Sequence, residues 1–127
     1  MLIEINFESD IPIYTQLRNE ILRGIASGKL AEGEILPSVR QLASDIGINM
    51  HTVNKAYNIL KQEGFLTIDR RKGAVINTKN LRYKKETLIN MEKELNPIIA
   101  EGICCDISKN DFIEMINKIY DDYKVEE

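Results

Sequence analysis

The side chains with chemistry to offer cluster in the middle of the chain. His51, Thr52, Asn54, Lys55 and Asn58 fall within eight residues and include no acid. Asparagine can pair bidentately with adenine in a DNA major groove. Threonine can meet a phosphate or a thymine methyl, and lysine a phosphate or a guanine. Ser38 and Arg40 stand upstream, where a helix N-terminus would turn its free N–H groups toward phosphate. Arg70-Arg71-Lys72 places three positive charges in a row, suited to backbone or minor-groove contact.

Each of these features has a plainer reading. A polar helix face is commonly just solvated. Arg40 has Asp45 nearby to pair with, and a basic hairpin tip serves solubility. Catalysis usually needs a convergent acid, base and nucleophile. Here His51 is the only histidine, and Cys104-Cys105 lacks a histidine or CxxC context. The two cysteines read as buried or interhelical thiols rather than redox sensors. No catalytic residue, metal site or cofactor is expected.

Charge separates the alternatives. The 127 residues carry 17 Lys and Arg against 20 Asp and Glu, a net charge of −3. Taken whole, that total argues against a nucleic-acid partner. By segment it does not. Residues 1–35 sum to −3, residues 36–80 to +4 and residues 81–127 to −4. A basic island between acidic flanks points to one region facing a polyanion. The 43% of apolar residues excludes a disordered chain. No apolar run is long enough to span a membrane, and Glu4 follows too soon for a signal peptide. A cytoplasmic setting is expected, with no membrane partner.

The elements that would position these residues can be read from periodicity. Ile13, Leu17, Ile21 and Ile25 repeat every four residues on a first helix, with Asp10 as its expected cap and Gly28 as its stop. Residues 29–37 read as a connector. Ser38 then caps a short helix, with Gln41 reaching back to it. Val39, Leu42, Ala43 and Ile46 form its stripe, and Gly47 ends it. Asn49 caps a second helix carrying Val53, Ala56, Tyr57 and Leu60 inward, and Gly64 closes it. A short helix, a tight glycine turn and a second helix make a helix-turn-helix. Phe65–Ile68 and Ala74–Ile76 are β-prone, with Asp69–Gly73 between them as a hairpin tip. The expected fold is α+β, mostly α: a winged helix-turn-helix over residues 1–78, followed by a short helical segment over 79–127.

That second segment carries Leu88, Met91, Leu95, Ile98 and Ile99 on one helix face. Pro97 should kink or break the helix near Asn96, and Gly102 should stop it. Ser108, with Asp111, caps a last helix bearing Phe112, Met115, Ile116 and Ile119. Two helices in so few residues cannot enclose a core alone. These apolar positions must pack on the first domain or, as favoured here, across a homodimer. A small-molecule effector site between protomers, near Pro97 and Cys104, is a further expectation.

The residues from about 11 to 76 resemble the GntR family of bacterial transcription regulators. The resemblance is carried by Pro12-Ile13-Tyr14-x-Gln16-Leu17, Gly28-x-Leu30-x-x-Gly33, Leu36-Pro37-Ser38-x-Arg40-x-Leu42-Ala43, Thr52-Val53-x-x-Ala56-Tyr57-x-x-Leu60, Glu63-Gly64 and Gly73. The short tail and the string Asn49-x-x-Thr52-Val53-Asn54-Lys55-Ala56-Tyr57 look like the YtrA-type branch. In place of the branch's usual Pro-Asn, this chain has Met50-His51. The resemblance implies a homodimeric repressor on an inverted-repeat operator of double-stranded DNA, commonly beside transporter genes. It also implies DNA contact by Arg40, by Asn49, His51, Thr52 and Asn54, and by Arg70 and Arg71. The competing expectation is a winged helix that binds another protein instead of DNA.

Overall fold

The computed structural model describes residues 3–79, 81 and 84–123. The chain divides into two compact units, residues 1–81 and 82–127.

The first unit is built on three helices and a hairpin. Helix α1 spans Ile13–Ala26, α2 spans Val39–Ile46 and α3 spans Met50–Glu63. Strands β1, Leu66–Asp69, and β2, Gly73–Ile76, pair antiparallel with Leu66 opposite Ile76 and Asp69 opposite Gly73. The apolar stripes meet as their spacing predicts. Leu17 and Ile21 of α1, Leu42 and Ala43 of α2, and Val53, Ala56, Tyr57 and Leu60 of α3 share one core. Leu66, Ala74 and Ile76 of the hairpin close it from below the helices.

The connector is more ordered than its composition suggests. Leu30 and Leu36 are buried in the core. Between them the backbone runs beside β2. The Gly33 N–H donates to the Ile76 carbonyl at 2.8 Å, the Leu36 N–H to Ala74 at 2.8 Å, and the Ile76 N–H to Glu34 at 2.9 Å. The connector therefore covers an edge of β2 that would otherwise present unpaired backbone groups.

Start and stop residues mostly follow the sequence reading. Ser38 accepts from the Gln41 N–H, and Asn49 from the His51 N–H. Gly47 and Gly64 take the left-handed conformation at the ends of α2 and α3. Two expectations need correction. Asp10 is not the α1 cap: the cap position is Pro12, whose carbonyl accepts from Thr15 and Gln16. There the Gln16 side chain ties down the incoming chain, donating to the Ile11 and Asn6 carbonyls. The Gln41 side chain does not reach back to Ser38. It donates to Asp45 Oδ1 at 2.6 Å, one helical turn ahead.

The second unit is a pair of helices, α4 over Lys84–Cys104 and α5 over Lys109–Asp122. Pro97 lies inside α4, and the helix is not broken at Asn96. Proline removes one backbone hydrogen bond, while the turns on either side keep theirs. Gly102 does not stop α4 either; it is buried within the last turn, against the Phe112 ring of α5. The stop falls at Asp106, whose φ of 63° is left-handed. The Asp106 N–H donates to Ile103 and the Ile107 N–H to Gly102, the pattern of a Schellman turn. Ser108 and Asp111 then form a full capping box for α5.

Candidate nucleic-acid interface

The three helices of the first unit fix one another through a few polar ties. The Arg18 guanidinium grips the Glu63 carboxylate with two hydrogen bonds, of 2.9 and 2.8 Å, fastening α1 to the end of α3. The Tyr57 hydroxyl donates to the Pro37 carbonyl at 2.8 Å, fastening α3 to the residue before the α2 cap. Burial pushes the Tyr57 hydroxyl well above the usual phenol range, so it stays a neutral donor.

With its buried side engaged, α3 turns the opposite side to solvent. His51, Asn54, Lys55 and Asn58 are exposed at i, i+3, i+4 and i+7, one continuous stripe. Thr52 is half-buried beside it. Asn49 is exposed but spends its Oδ1 on the His51 N–H at 2.8 Å, which orders the start of α3. The only acid on α3 is Glu63, at its far end and neutralised by Arg18. Met50, 44% exposed, puts an apolar side chain at the first turn. Sequence reasoning did not count it among the contacts, because its type carries no donor.

Arg40 is exposed near the start of α2, with Ser38 exposed at its cap. Asp45 is engaged by Gln41, and Arg40 forms no ion pair among the described residues. The expected alternative of an Arg40–Asp45 pair is therefore corrected. Lys55 is exposed, yet its ammonium sits 3.9 Å from the centroid of the Tyr14 ring on α1. Nothing in the residue spacing pairs Tyr14 with Lys55.

The hairpin tip has its own order. Asp69 Oδ1 accepts from the Arg71 N–H at 2.7 Å and the Lys72 N–H at 3.1 Å. These two bonds hold the Asp69 carboxyl below the usual carboxylate range. Gly73, at φ 95°, returns the chain into β2 through a conformation that a side chain would resist. Arg70, Arg71 and Lys72 are all exposed on this turn.

The second unit shows an apolar surface. Leu88, Met91, Leu95, Ile98, Met115, Ile116 and Ile119 are exposed, and Ile99 is half-buried. Phe112 is also half-buried because it is spent within the unit, on Gly102. Ile89, Ile103, Ile113 and Tyr120 enlarge the exposed set beyond the residues expected. Cys104 and Cys105 are exposed rather than buried, since they sit where α4 ends and no other part of the described unit covers them. No described helix is long and apolar enough to cross a membrane.

Comparison with known proteins gives a family match described as bacterial regulatory proteins, gntR family, over residues 13–76. Those limits are the first residue of α1 and the last of β2. The HTH-type transcriptional repressor YtrA of Bacillus subtilis (strain 168) is 32% identical over 124 residues, covering 97% of this chain and 95% of its own. A solved structure described as a transcriptional antiterminator from Listeria monocytogenes EGD-e superposes with a TM-score of 0.88. Its sequence identity is 28%, across 100% of this chain and 98% of its own. The DNA-binding domain of AraR, solved in complex with operator ORX1, matches with a TM-score of 0.54 at 26% identity, over 60% of this chain and 98% of its own. Family match and full-length relative agree with a capped turn between α2 and α3 and a wing behind it, and on those grounds the chain belongs to the GntR family, as a DNA-binding regulator of transcription.

Proposed function

We propose that the chain acts as a homodimeric repressor on an inverted-repeat operator, with α3 laid in the major groove. Arg40 and the His51–Asn58 stripe supply the contacts there, joined by Asn49 and Thr52. Arg70, Arg71 and Lys72 reach the backbone or the minor groove from the wing. The observation that carries this reading is the separation of charge on the first unit. Arg40 and the wing arginines form no ion pair among the described residues, and the acid of α3 is held at the end away from Asn49. The positive end of the α3 dipole, with no acid in the first turn of that helix, favours phosphate.

The exposed apolar faces of α4 and α5 support the dimer. A two-helix unit whose only buried residue is Gly102, among those described, has no core of its own. A two-fold partner is the commonest way to cover such a surface. The repressor direction draws on the relative from Bacillus subtilis, a transcriptional repressor by name. Control of transporter genes is what the resemblance to the YtrA-type branch implies.

Selection of bound sequences from random duplex DNA tests the reading. The expected product is an inverted repeat whose half-sites are spaced about one helical turn apart or a multiple of it. Affinity should fall steeply with salt, with a slope set by the phosphates contacted. Recovery of unrelated sequences with a flat salt response would leave the wing and α3 as a protein-binding surface instead.

A further inference from the structure

Lys55 belongs to the polar stripe of α3 but does not stand free. Its ammonium lies 3.9 Å from the centre of the Tyr14 ring. Tyr14 sits in the first turn of α1 and is half-buried against the core that α1 and α3 share. The ring is therefore held by packing, and the lysine is held by the ring. A free lysine stem samples many rotamers, and fixing it on binding costs entropy. Placed over an aromatic face, the ammonium is already localised. Its three N–H donors have no hydrogen-bond acceptor among the described residues. A compact cation with three donors suits a phosphate oxygen. The planar fork of arginine or an amide suits a base edge better than a compact ammonium, which also meets guanine.

We propose that Tyr14 is a positioning residue for DNA binding. Its ring holds the Lys55 ammonium at the border of α1 and α3, where it meets a backbone phosphate and adds affinity without reading sequence. His51, Asn54 and Asn58 are left for the base edges. The inference rests on the DNA-binding reading above and narrows the role of Lys55, for which residue type alone left phosphate and guanine both open.

The test uses the full chain, a selected operator duplex and a random duplex of equal length, across a salt series. Lys55 is exposed, so K55M is expected to keep the fold. K55M should weaken both duplexes by the same factor, about three- to ten-fold. It should lower the salt slope by about one per protomer and leave the selected sequence unchanged. Y14F keeps the ring and should bind like the wild type. Y14L removes the ring and should weaken binding about two- to five-fold, with no further loss when K55M is added. Thermal melts accompany each variant. If Y14L loses its fold, Tyr14→Met fills the same half-buried position without a ring.

Four results overturn the proposal. Equal losses in Y14F and Y14L would make the hydroxyl the contact. Additive losses in the double variant would make the two residues independent. A changed base preference in K55M would make Lys55 a base reader, and unaltered binding would leave the pair purely structural. A wild-type chain that binds neither duplex removes the DNA reading itself, an outcome distinct from these four.

Discussion

Tyr57 of α3 donates its hydroxyl to the carbonyl of Pro37 at 2.8 Å. Ser38, the next residue, caps α2 and stands two residues before Arg40. One buried ring thus sets the height of the α2 N-terminus against α3. The arrangement of Arg40 relative to the α3 stripe depends on it.

Tyr57→Phe keeps the ring and removes the donor, leaving the Pro37 carbonyl without this partner. A net loss of about 1 kcal/mol in unfolding free energy is expected at pH 7. The pH dependence carries a second signature. Burial raises the Tyr57 hydroxyl above its ordinary value of 10.0 in the folded state. The contribution is therefore complete below about pH 10 and is lost as pH climbs toward the raised value, because the unfolded state ionises first. Wild type should lose stability relative to Y57F from about pH 10 upward. Denaturant unfolding at a series of alkaline pH values checks this; parallel curves for the two proteins would refute it.

The wing offers a local rather than a global effect. Asp69 is fully exposed, and its carboxylate accepts from the Arg71 and Lys72 N–H groups. Asp69→Ala should speed amide exchange at Arg71 and Lys72 while leaving the melting temperature of the chain nearly unchanged. In the wild type, the same order should be present above the usual carboxylate range and fade as pH falls through the lowered Asp69 value. Exchange rates at the two amides that are indifferent to both changes would remove Asp69 from control of the tip.

Arg40 is exposed and unpaired among the described residues, so its replacement should cost binding and not stability. Arg40→Ala is expected to weaken specific binding by about 1–3 kcal/mol if the guanidinium meets a base. Its unfolding free energy should stay within about 0.5 kcal/mol of the wild type. Titration of operator and random duplexes separates the two possibilities for its target. Equal loss on both duplexes would assign Arg40 to phosphate.

How far the sequence revealed these features depended on the range of the interaction. The stripes of α1, α2 and α3 and the caps Ser38 and Asn49 are local patterns, and the structure keeps them. Leu30 and Leu36 gave no periodic signal, because a connector lying along β2 follows neither helical nor alternating spacing. The Lys55–Tyr14 contact joins residues 41 positions apart and was invisible in spacing. Gly102 misled in an instructive way. Glycine suits both a helix stop and a close approach, and the Phe112 ring that decides between them lies on another helix.

That division of roles at the α4–α5 turn can be tested directly. Asp106 carries a side chain at φ 63°, where glycine is freer of strain. Asp106→Gly should raise the stability of the helix pair by about 0.5–1 kcal/mol. Gly102→Ala should do the opposite, since the added Cβ would clash with Cζ and Cε2 of the Phe112 ring. Thermal melts of the two variants should move in opposite directions. A shared direction would mean that the turn, and not the ring contact, limits the packing of α5 on α4.

The exposed apolar faces carry the last prediction. Leu95 and Ile116 are 44% and 43% exposed, on α4 and α5 respectively. In a lone chain a charge at either partly exposed position would keep its access to solvent and cost far less than at a covered one. In a dimer it would be buried without a partner, at a cost of several kcal/mol. Leu95→Asp and Ile116→Glu should therefore convert a dimer to a monomer in sedimentation velocity, while the winged unit stays folded. Binding to an inverted repeat should fall to that of a half-site, because the second contact would no longer act at high effective concentration. A wild-type chain that sediments as a monomer, or variants that remain dimeric, would move the interface off this surface and leave the apolar faces of α4 and α5 to a different partner.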